Sequence, residues 1–332
     1  MRSLSRRAAP RLFAALLIAA ALAAASGCGN GGDDQATAPA PAPTARAADF
    51  PTAKGKATLG QLVKGVSQGP QLAPSVSALY PGRNRFGFAL FDQGGKQING
   101  AAVALYTAAA DQTDVRGPYP ARSESMAVKP AFASKTSSQD PDTAKSVYVA
   151  DVPFATKGRR VLIALARLDG RLVASTAIAL NVASGGGPPR PGEKAIKIDT
   201  PTKAEVGDVS KIDTRVPPDT MHDVNFADVL GRKPVVLVFA TPALCKSRVC
   251  GPVVDEAEQL KAQYGDKAAF IHMEIYKDND LAKGYRPQVR AWKLPSEPWT
   301  FMIDRQGNVV QSFEGAASVA ELQRGIEKAT SA

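Results

Sequence analysis

Pro234-Val235-Val236-Leu237-Val238-Phe239-Ala240-Thr241-Pro242-Ala243-Leu244-Cys245-Lys246-Ser247-Arg248-Val249-Cys250-Gly251-Pro252-Val253 decides how this chain is read. Residues 234–240 are continuously apolar, the pattern of a strand buried on both faces. Residues 252–264 then place Val253, Val254, Ala257, Leu260 and Ala262 roughly on one helical face, with Pro252 suited to a first turn. Two cysteines, with four residues between them, lie where that strand hands over to that helix.

Working outward toward the C-terminus, residues 270–276 read as a second strand and 288–292 as a short helix. Residues 300–304, the turn Arg305-Gln306-Gly307-Asn308 and residues 309–313 read as a hairpin. Residues 318–329 read as a terminal helix, with Ser318 as N-cap and Glu321 completing a capping box. The order is β-α-β-α-β-β-α.

Upstream the pattern changes. Asn84-Arg85-Phe86-Gly87-Phe88-Ala89-Leu90-Phe91 alternates as a half-buried strand does, and Asp92-Gln93-Gly94-Gly95-Lys96 ends it in a turn. Residues 101–107, 146–152 and 160–168 read as further strands. Asp169-Gly170 between two apolar runs is a hairpin signal, with residues 171–182 returning. Strands without strong helical patterns predict an all-β, immunoglobulin-like sandwich over 60–185. Residues 108–144 stand out as a long polar stretch with little periodicity, an insertion or a functional loop. The sandwich has no His and no Cys, so it reads as an accessory or partner-binding domain. Ser184-Gly185-Gly186-Gly187-Pro188-Pro189-Arg190-Pro191-Gly192 opens a linker over 186–219 and predicts two separable domains with few contacts between them.

The N-terminal segment reads as an address. Arg2, Arg6, Arg7 and Arg11 flank an apolar run over 12–25 that is too short to span a bilayer, which takes about 20 residues. Small residues follow, ending in Ala25-Ser26-Gly27-Cys28. Residues 1–27 therefore read as an export signal, and 28–55 as a disordered tether rich in Pro and Ala. Loss of 1–27, which holds four Arg and no acid, takes the formal net charge from +10 to +6. That excess is spread out, with no basic cluster interleaved with aromatics, so no nucleic-acid role is read. At 44% hydrophobic and 22% charged, the chain is not wholly disordered, collagenous or coiled-coil. Three cysteines exclude a disulfide-dense scaffold and a four-cysteine zinc site.

Two resemblances add to this reading. Ala25-Ser26-Gly27-Cys28 resembles the lipobox of bacterial lipoproteins, with Ala25 where Leu is preferred; it implies that Cys28 carries lipid and anchors the chain to the extracytoplasmic face of the membrane. Residues 220–332 resemble the redoxin branch of thioredoxin-like proteins. The resemblance rests on residues 225–234 before the first strand, on residues 239–245 at its exit, and on Glu297-Pro298-Trp299-Thr300-Phe301-Met302-Ile303-Asp304. It implies a cis-proline at Pro298 facing the reactive cysteine. The family's motif is Cys-x-x-Cys, so the wider spacing here is a departure. Either Cys245 holds the nucleophile position, or Val249-Cys250-Gly251-Pro252-Val253 matches Trp-Cys-Gly-Pro-Cys with Cys245 as a relocated partner. The family's buried carboxylate is missing from the apolar first strand, and Glu297 is the substitute proton acceptor.

The implied chemistry is thiol–disulfide exchange with exported protein thiols or disulfides and a redox partner, without a cofactor. A thiolate attacks a disulfide, a helix N-terminus and nearby Lys246 and Arg248 favour that thiolate, and a second thiol resolves the mixed disulfide. Cys250 has the better helix position and Cys245 the better strand-exit position, which leaves the nucleophile open. Two other readings stand beside this one. The pair is a structural bond in a binding or assembly protein, or the domain is similar to Sco copper-assembly proteins, which use a cysteine pair and a distant His. The only histidines are His222 and His272, and a lone His inside a buried strand is usually a satisfied core residue.

Overall fold

The structure is a computed structural model, and it describes residues 44–332. The signal, Cys28 and the tether up to residue 43 lie outside the described residues. The N-terminal lobe is built from β1 (Ser67–Gln68), β2 (Gln71–Pro74), β3 (Gly82–Phe91), β4 (Gln97–Ile98), β5 (Ala102–Ala109), β6 (Arg116–Ser125), β7 (Ser146–Phe154), β8 (Gly158–Leu168), β9 (Arg171–Ala174) and β10 (Ile178–Val182). They pair in the order β1-β9-β8-β5-β6-β7-β3-β2, with β10 beside β8 and β4 on β3. Asp169 and Gly170 both take positive φ (50° and 75°), as the tight turn between β8 and β9 requires. The predicted return over 171–182 is broken into β9 and β10, both running along β8. At the break the Ser175 hydroxyl accepts a hydrogen bond from the Ala164 N–H at 2.9 Å.

Alternation along these strands produces three buried layers. Phe86, Phe88 and Leu90 of β3 and Tyr148, Ala150 and Val152 of β7 share one core with Leu105 of β5 and Leu162 and Ala164 of β8. The sheet therefore folds over on itself. The other face of β5 and β8, with Ala104, Tyr106 and Leu165, is covered by Ala45, Phe50, Ala53 and the short helix α1 (Leu59–Leu62). This corrects the tether prediction at its end: residues 45–53 are packed chain, because three small or aromatic side chains there complete an apolar face. The other face of β7, with Val147 and Val149, packs on the C-terminal lobe.

Residues 108–144 are neither unstructured nor an excursion from the fold. They contain the long strand β6, which pairs with both β5 and β7. Its mixed composition hid it: only Ala121 is fully buried, the residues around it are partly covered, and its two ends are exposed. A short helix, α2 (Lys135–Ser138), follows.

In the C-terminal lobe β11 (Val235–Phe239), β12 (Ala269–Met273), β13 (Trp299–Ile303) and β14 (Val309–Glu314) form a sheet in the order β12-β11-β13-β14. β11 and β12 are parallel, β13 runs antiparallel to β11, and β14 runs antiparallel to β13. All five residues of β11 are buried, matching its unbroken apolar run. One face packs Phe226, Phe239, Trp292 and Phe301 together, with Trp292 and Phe301 ring centroids 4.6 Å apart. The other packs α5 (Cys250–Tyr264) and α7 (Val319–Ser331). Ahead of and between these lie the short α3 (Lys203–Val206), α4 (Phe226–Val229) and α6 (Pro287–Ala291). The Ser318–Glu321 capping box forms as predicted.

The two lobes are joined more closely than the sequence implied: the described residues form one compact unit. Glu314, at the end of β14, accepts hydrogen bonds from the Ser77 N–H (2.8 Å) and hydroxyl (2.6 Å) and from the Ala78 N–H (2.9 Å). Arg85 of β3 pairs with Glu321 of α7 at 2.7 Å. At Gly315, with φ of 70°, a Cβ would lie 2.1 Å from the Ser75 carbonyl, so only glycine allows the two chains to approach this closely. The linker is also packed. Gly192, Glu193 and Ala195 exchange backbone hydrogen bonds with Val309 and Gly307 along the edge of β14. Ile196 and Ile198 cover apolar side chains, and Asp213, Arg215 and Asp219 are buried. The sparse contact expected from a Gly/Pro-rich composition is therefore corrected: composition describes local backbone preference, and the edge of β14 still needs partners for its N–H and C=O groups.

Candidate active site

β11 delivers the chain through Ala240 and Thr241 into a loop over 242–249, and α5 begins at Cys250. The first-turn N–H groups of a helix have no partner within it. Here the Cys250 N–H donates to the Cys245 sulfur at 3.4 Å, and the Ser247 hydroxyl lies 3.2 Å from the same atom. Arg248 takes positive φ (61°), folding the loop back over the helix start. The loop thus gives Cys245, five residues upstream, the electrostatic position that its place in the sequence assigns to Cys250.

The two thiols separate accordingly. Hydrogen bonding from the Cys250 thiol, opposed by burial and helped by Ser247 and the Cys250 and Val249 N–H groups, lowers the Cys245 pKa to about 6. Burial pushes Cys250 well above the ordinary thiol range, and negative charge at Cys245 and Glu297 adds to that effect. Both cysteines are free thiols; Cys250 is fully buried and Cys245 partly exposed. The accessible sulfur is therefore the one that ionises near neutral pH.

Glu297 and Pro298 precede β13 and are joined by a cis peptide bond. Burial raises the Glu297 carboxyl, while Tyr276, whose hydroxyl lies 3.5 Å away, and the charge of Lys246 lower it. The negative charge of Glu297 reaches Cys250 and adds to the upward push on its thiol.

The polar stretch flagged at 108–144 reaches this site. Thr136, Ser137 and Asp140 line one wall of a cleft of about 520 Å³, and Cys245, Lys246 and Pro252 line the opposite side. The loop is secured to α5. Ser134 donates from its N–H and its hydroxyl to Asp255, both at 3.1 Å, and Arg215 pairs with the same buried carboxylate at 2.8 Å. Asp140 pairs with Arg248, and the Ala144 N–H donates to the Arg248 carbonyl at 3.3 Å. Sequence reasoning flagged this stretch by its length and polarity but had no means of assigning it to the cysteines. Nor did it find Ser247 or Thr214, whose hydroxyl accepts from the Ala243 N–H at 3.1 Å and donates to Glu274 at 2.6 Å.

His222 and His272 do not join the cysteines: among the described residues the histidines gather with Asp213 and Asp219 instead. The copper set of a cysteine pair and a His is therefore not formed, because His272 points from β12 to Asp219 (2.7 Å) and to the Ala240 carbonyl (3.1 Å). Both partners are acceptors, so His272 donates from both ring nitrogens. Burial works against that charge, yet Asp219 and Asp213 raise its pKa to about 10.

A sheet of this order, helices on its face, and two thiols where β11 hands over to α5 make the C-terminal lobe thioredoxin-like. No family model matches the chain, and no curated protein does. Among solved structures, a thiol:disulfide interchange protein DsbE from Chlorobium tepidum is 19% identical, with 44% of this chain and 99% of that one covered and a TM-score of 0.31. A thioredoxin-family thiol:disulfide interchange protein from Chlorobium tepidum TLS is 18% identical, covering 45% and 99%, with a TM-score of 0.29. The Lin-41 filamin domain is 13% identical, covering 36% and 100%, with a TM-score of 0.19. Among the described residues no helix is long and apolar enough to cross a membrane.

Proposed function

We propose that this protein is an extracytoplasmic thiol–disulfide oxidoreductase, anchored through lipid on Cys28, with Cys245 as nucleophile and Cys250 as resolving thiol. The observation that carries the reading is the split between the sulfurs: Cys245 is accessible and held near pKa 6 at the start of α5, while Cys250 is buried and held as thiol. The Cys245 thiolate attacks a substrate disulfide, forming one S–S bond as the substrate's own breaks and releasing a substrate thiolate. Cys250 then loses its proton to Glu297 and attacks the Cys245 sulfur. The mixed disulfide breaks, the second substrate thiolate leaves, and Cys245 and Cys250 are joined. Two electrons have passed to the substrate, and a dithiol redox partner restores the pair. Pro298 is assigned the place facing the reactive cysteine, residues 136–143 border the cleft at Cys245, and the immunoglobulin-like N-terminal lobe serves to present that loop.

The test uses single variants in reduction of a protein disulfide. Cys250→Ser should accumulate a mixed disulfide through Cys245, and Cys245→Ser should form none. A wild-type protein that exchanges with no thiol donor, with both variants folded, would leave the pair as a structural bond and overturn the reading.

A further inference from the structure

The segment expected to be linker brings Asp213, Asp219 and His222 against His272 of β12. All four are buried, with relative exposures of 3%, 7%, 2% and 1%. One ligand-type atom from each lies within 4.8 Å of all the others. The His222 Nε2 atom is 3.4 Å from an Asp219 oxygen and 3.5 Å from an Asp213 oxygen, and the His272 Nδ1 atom is 2.7 Å from Asp219 and 3.9 Å from Asp213. A tetrahedral ion with bonds of about 2.0–2.1 Å sets its ligands roughly 3.3 Å apart, within the span of these separations.

An independent observation points to a missing partner. Both ring nitrogens of His222 are buried and neither makes a hydrogen bond. An unpaired buried polar group is costly, and here it faces two carboxylates. Those carboxylates are oriented by backbone: Asp213 accepts from the Arg215 and Asp219 N–H groups at 2.8 and 2.7 Å, and Asp219 from the Met221 N–H at 2.7 Å. Among the described residues, the only cationic side chains within pairing distance of these carboxylates are the two imidazoles. His272 also donates through Nε2 to the Ala240 carbonyl, which fixes the ring as a ligating histidine is usually fixed.

We propose that Asp213, Asp219, His222 and His272 form a structural site for a divalent cation, best suited to Zn²⁺. Two imidazoles and two carboxylates match its borderline character, and two carboxylates neutralise its charge. Four protein ligands close the coordination sphere, so the ion pins the segment 213–222 to β12 and carries no substrate. Binding displaces the proton that His272 Nδ1 shares with Asp219. The site is separate from the thiol chemistry and stands or falls without it.

The experiment uses the full-length chain with Cys28, Cys245 and Cys250 all replaced by Ser, free of any histidine tag. It is exposed to excess Zn²⁺, desalted and assayed for metal. About one zinc per chain should remain, and chelation should lower the thermal midpoint. His222→Gln should weaken binding at least about tenfold in competition with a chromophoric chelator. Negligible zinc in the folded thiol-free chain, or unchanged affinity in His222→Gln, would show a metal-free ion-pair network and overturn the proposal. Co²⁺ added to the unsubstituted protein gives a reading that needs no variant to fold. Tetrahedral visible bands without thiolate-to-cobalt charge transfer support the site; thiolate bands alone, or a six-coordinate spectrum, overturn it.

Discussion

The Cys250 N–H donates to the Cys245 sulfur at 3.4 Å, so the first residue of α5 holds the thiol that lies five residues before it. A four-residue spacer would otherwise carry Cys245 away from the helix terminus; the reversal at Arg248 brings it back. The wider spacing thus exchanges the helix-start position of the nucleophile for a loop position with the same N–H groups.

Alkylation of Cys245 should follow that pKa. In the reduced wild-type protein the iodoacetamide rate should rise with a midpoint near pH 6 and level off above it, with one fast thiol per chain. Ser247→Ala should move the midpoint upward. The folded value lies below that of an unfolded thiol, about 8.5. Ionised Cys245 therefore stabilises the reduced fold fully above the unfolded value, and this contribution is lost as pH falls through about 6. Denaturation of the reduced wild type against Cys245→Ser between pH 5 and 9 checks the sign.

Cleavage within 185–191 should not release two independent fragments. The Glu314 contacts and the shared apolar layer of Val147 and Val149 with α5 and α7 hold the lobes together. Nicked protein should elute from gel filtration as one species and unfold in one transition. Two fragments that separate and each remain folded would contradict the shared core.

Arg85→Ala should cost about 3 kcal/mol in denaturant unfolding, because it leaves Glu321, 3% exposed at the side chain, with only the more distant Arg122 as a charged partner. The double change Arg85→Met with Glu321→Met should cost less than the single one. Arg85 holds the Glu321 carboxyl below the ordinary range despite burial. The stability of the pair is therefore present above the unfolded carboxyl pKa and lost as pH falls through the lowered one, which denaturation curves at acid pH will show.

Gly251→Ala should disturb the cleft more than its size implies. The added Cβ would lie 2.6 Å from the Ser137 hydroxyl, on the loop that forms the opposite wall. A stability loss of about 1 kcal/mol is expected, with a fall in kcat/KM for disulfide reduction. Adding Ser137→Gly should restore both. A double-mutant cycle with no coupling would place the loop elsewhere in solution.

Much of the C-terminal lobe was legible because its signals are local. An unbroken apolar run marks β11 and a capping box marks α7, just as Asp169-Gly170 marks the β8–β9 turn of the N-terminal lobe, each within a few residues. Helix boundaries were less so: α5 starts at Cys250 rather than Pro252, since a helix start is set by where the loop before it packs. β6 was invisible because only Tyr119 and Ala121 of its ten residues turn apolar side chains to the core, too few to set up a clean alternation.

By itself the sequence determined the strand and helix order of the thioredoxin-like lobe, the cysteine pair at its strand-to-helix junction, and most strands of the N-terminal lobe. Tertiary structure alone decided which cysteine ionises, because thiol pKa depends on which N–H groups and how much burial each sulfur meets. It also decided that the linker is packed, that the loop carrying Ser137 and Asp140 faces Cys245, and that His272 meets Asp219 across 53 residues. Those are contacts between segments far apart in the chain, and local periodicity carries no record of them.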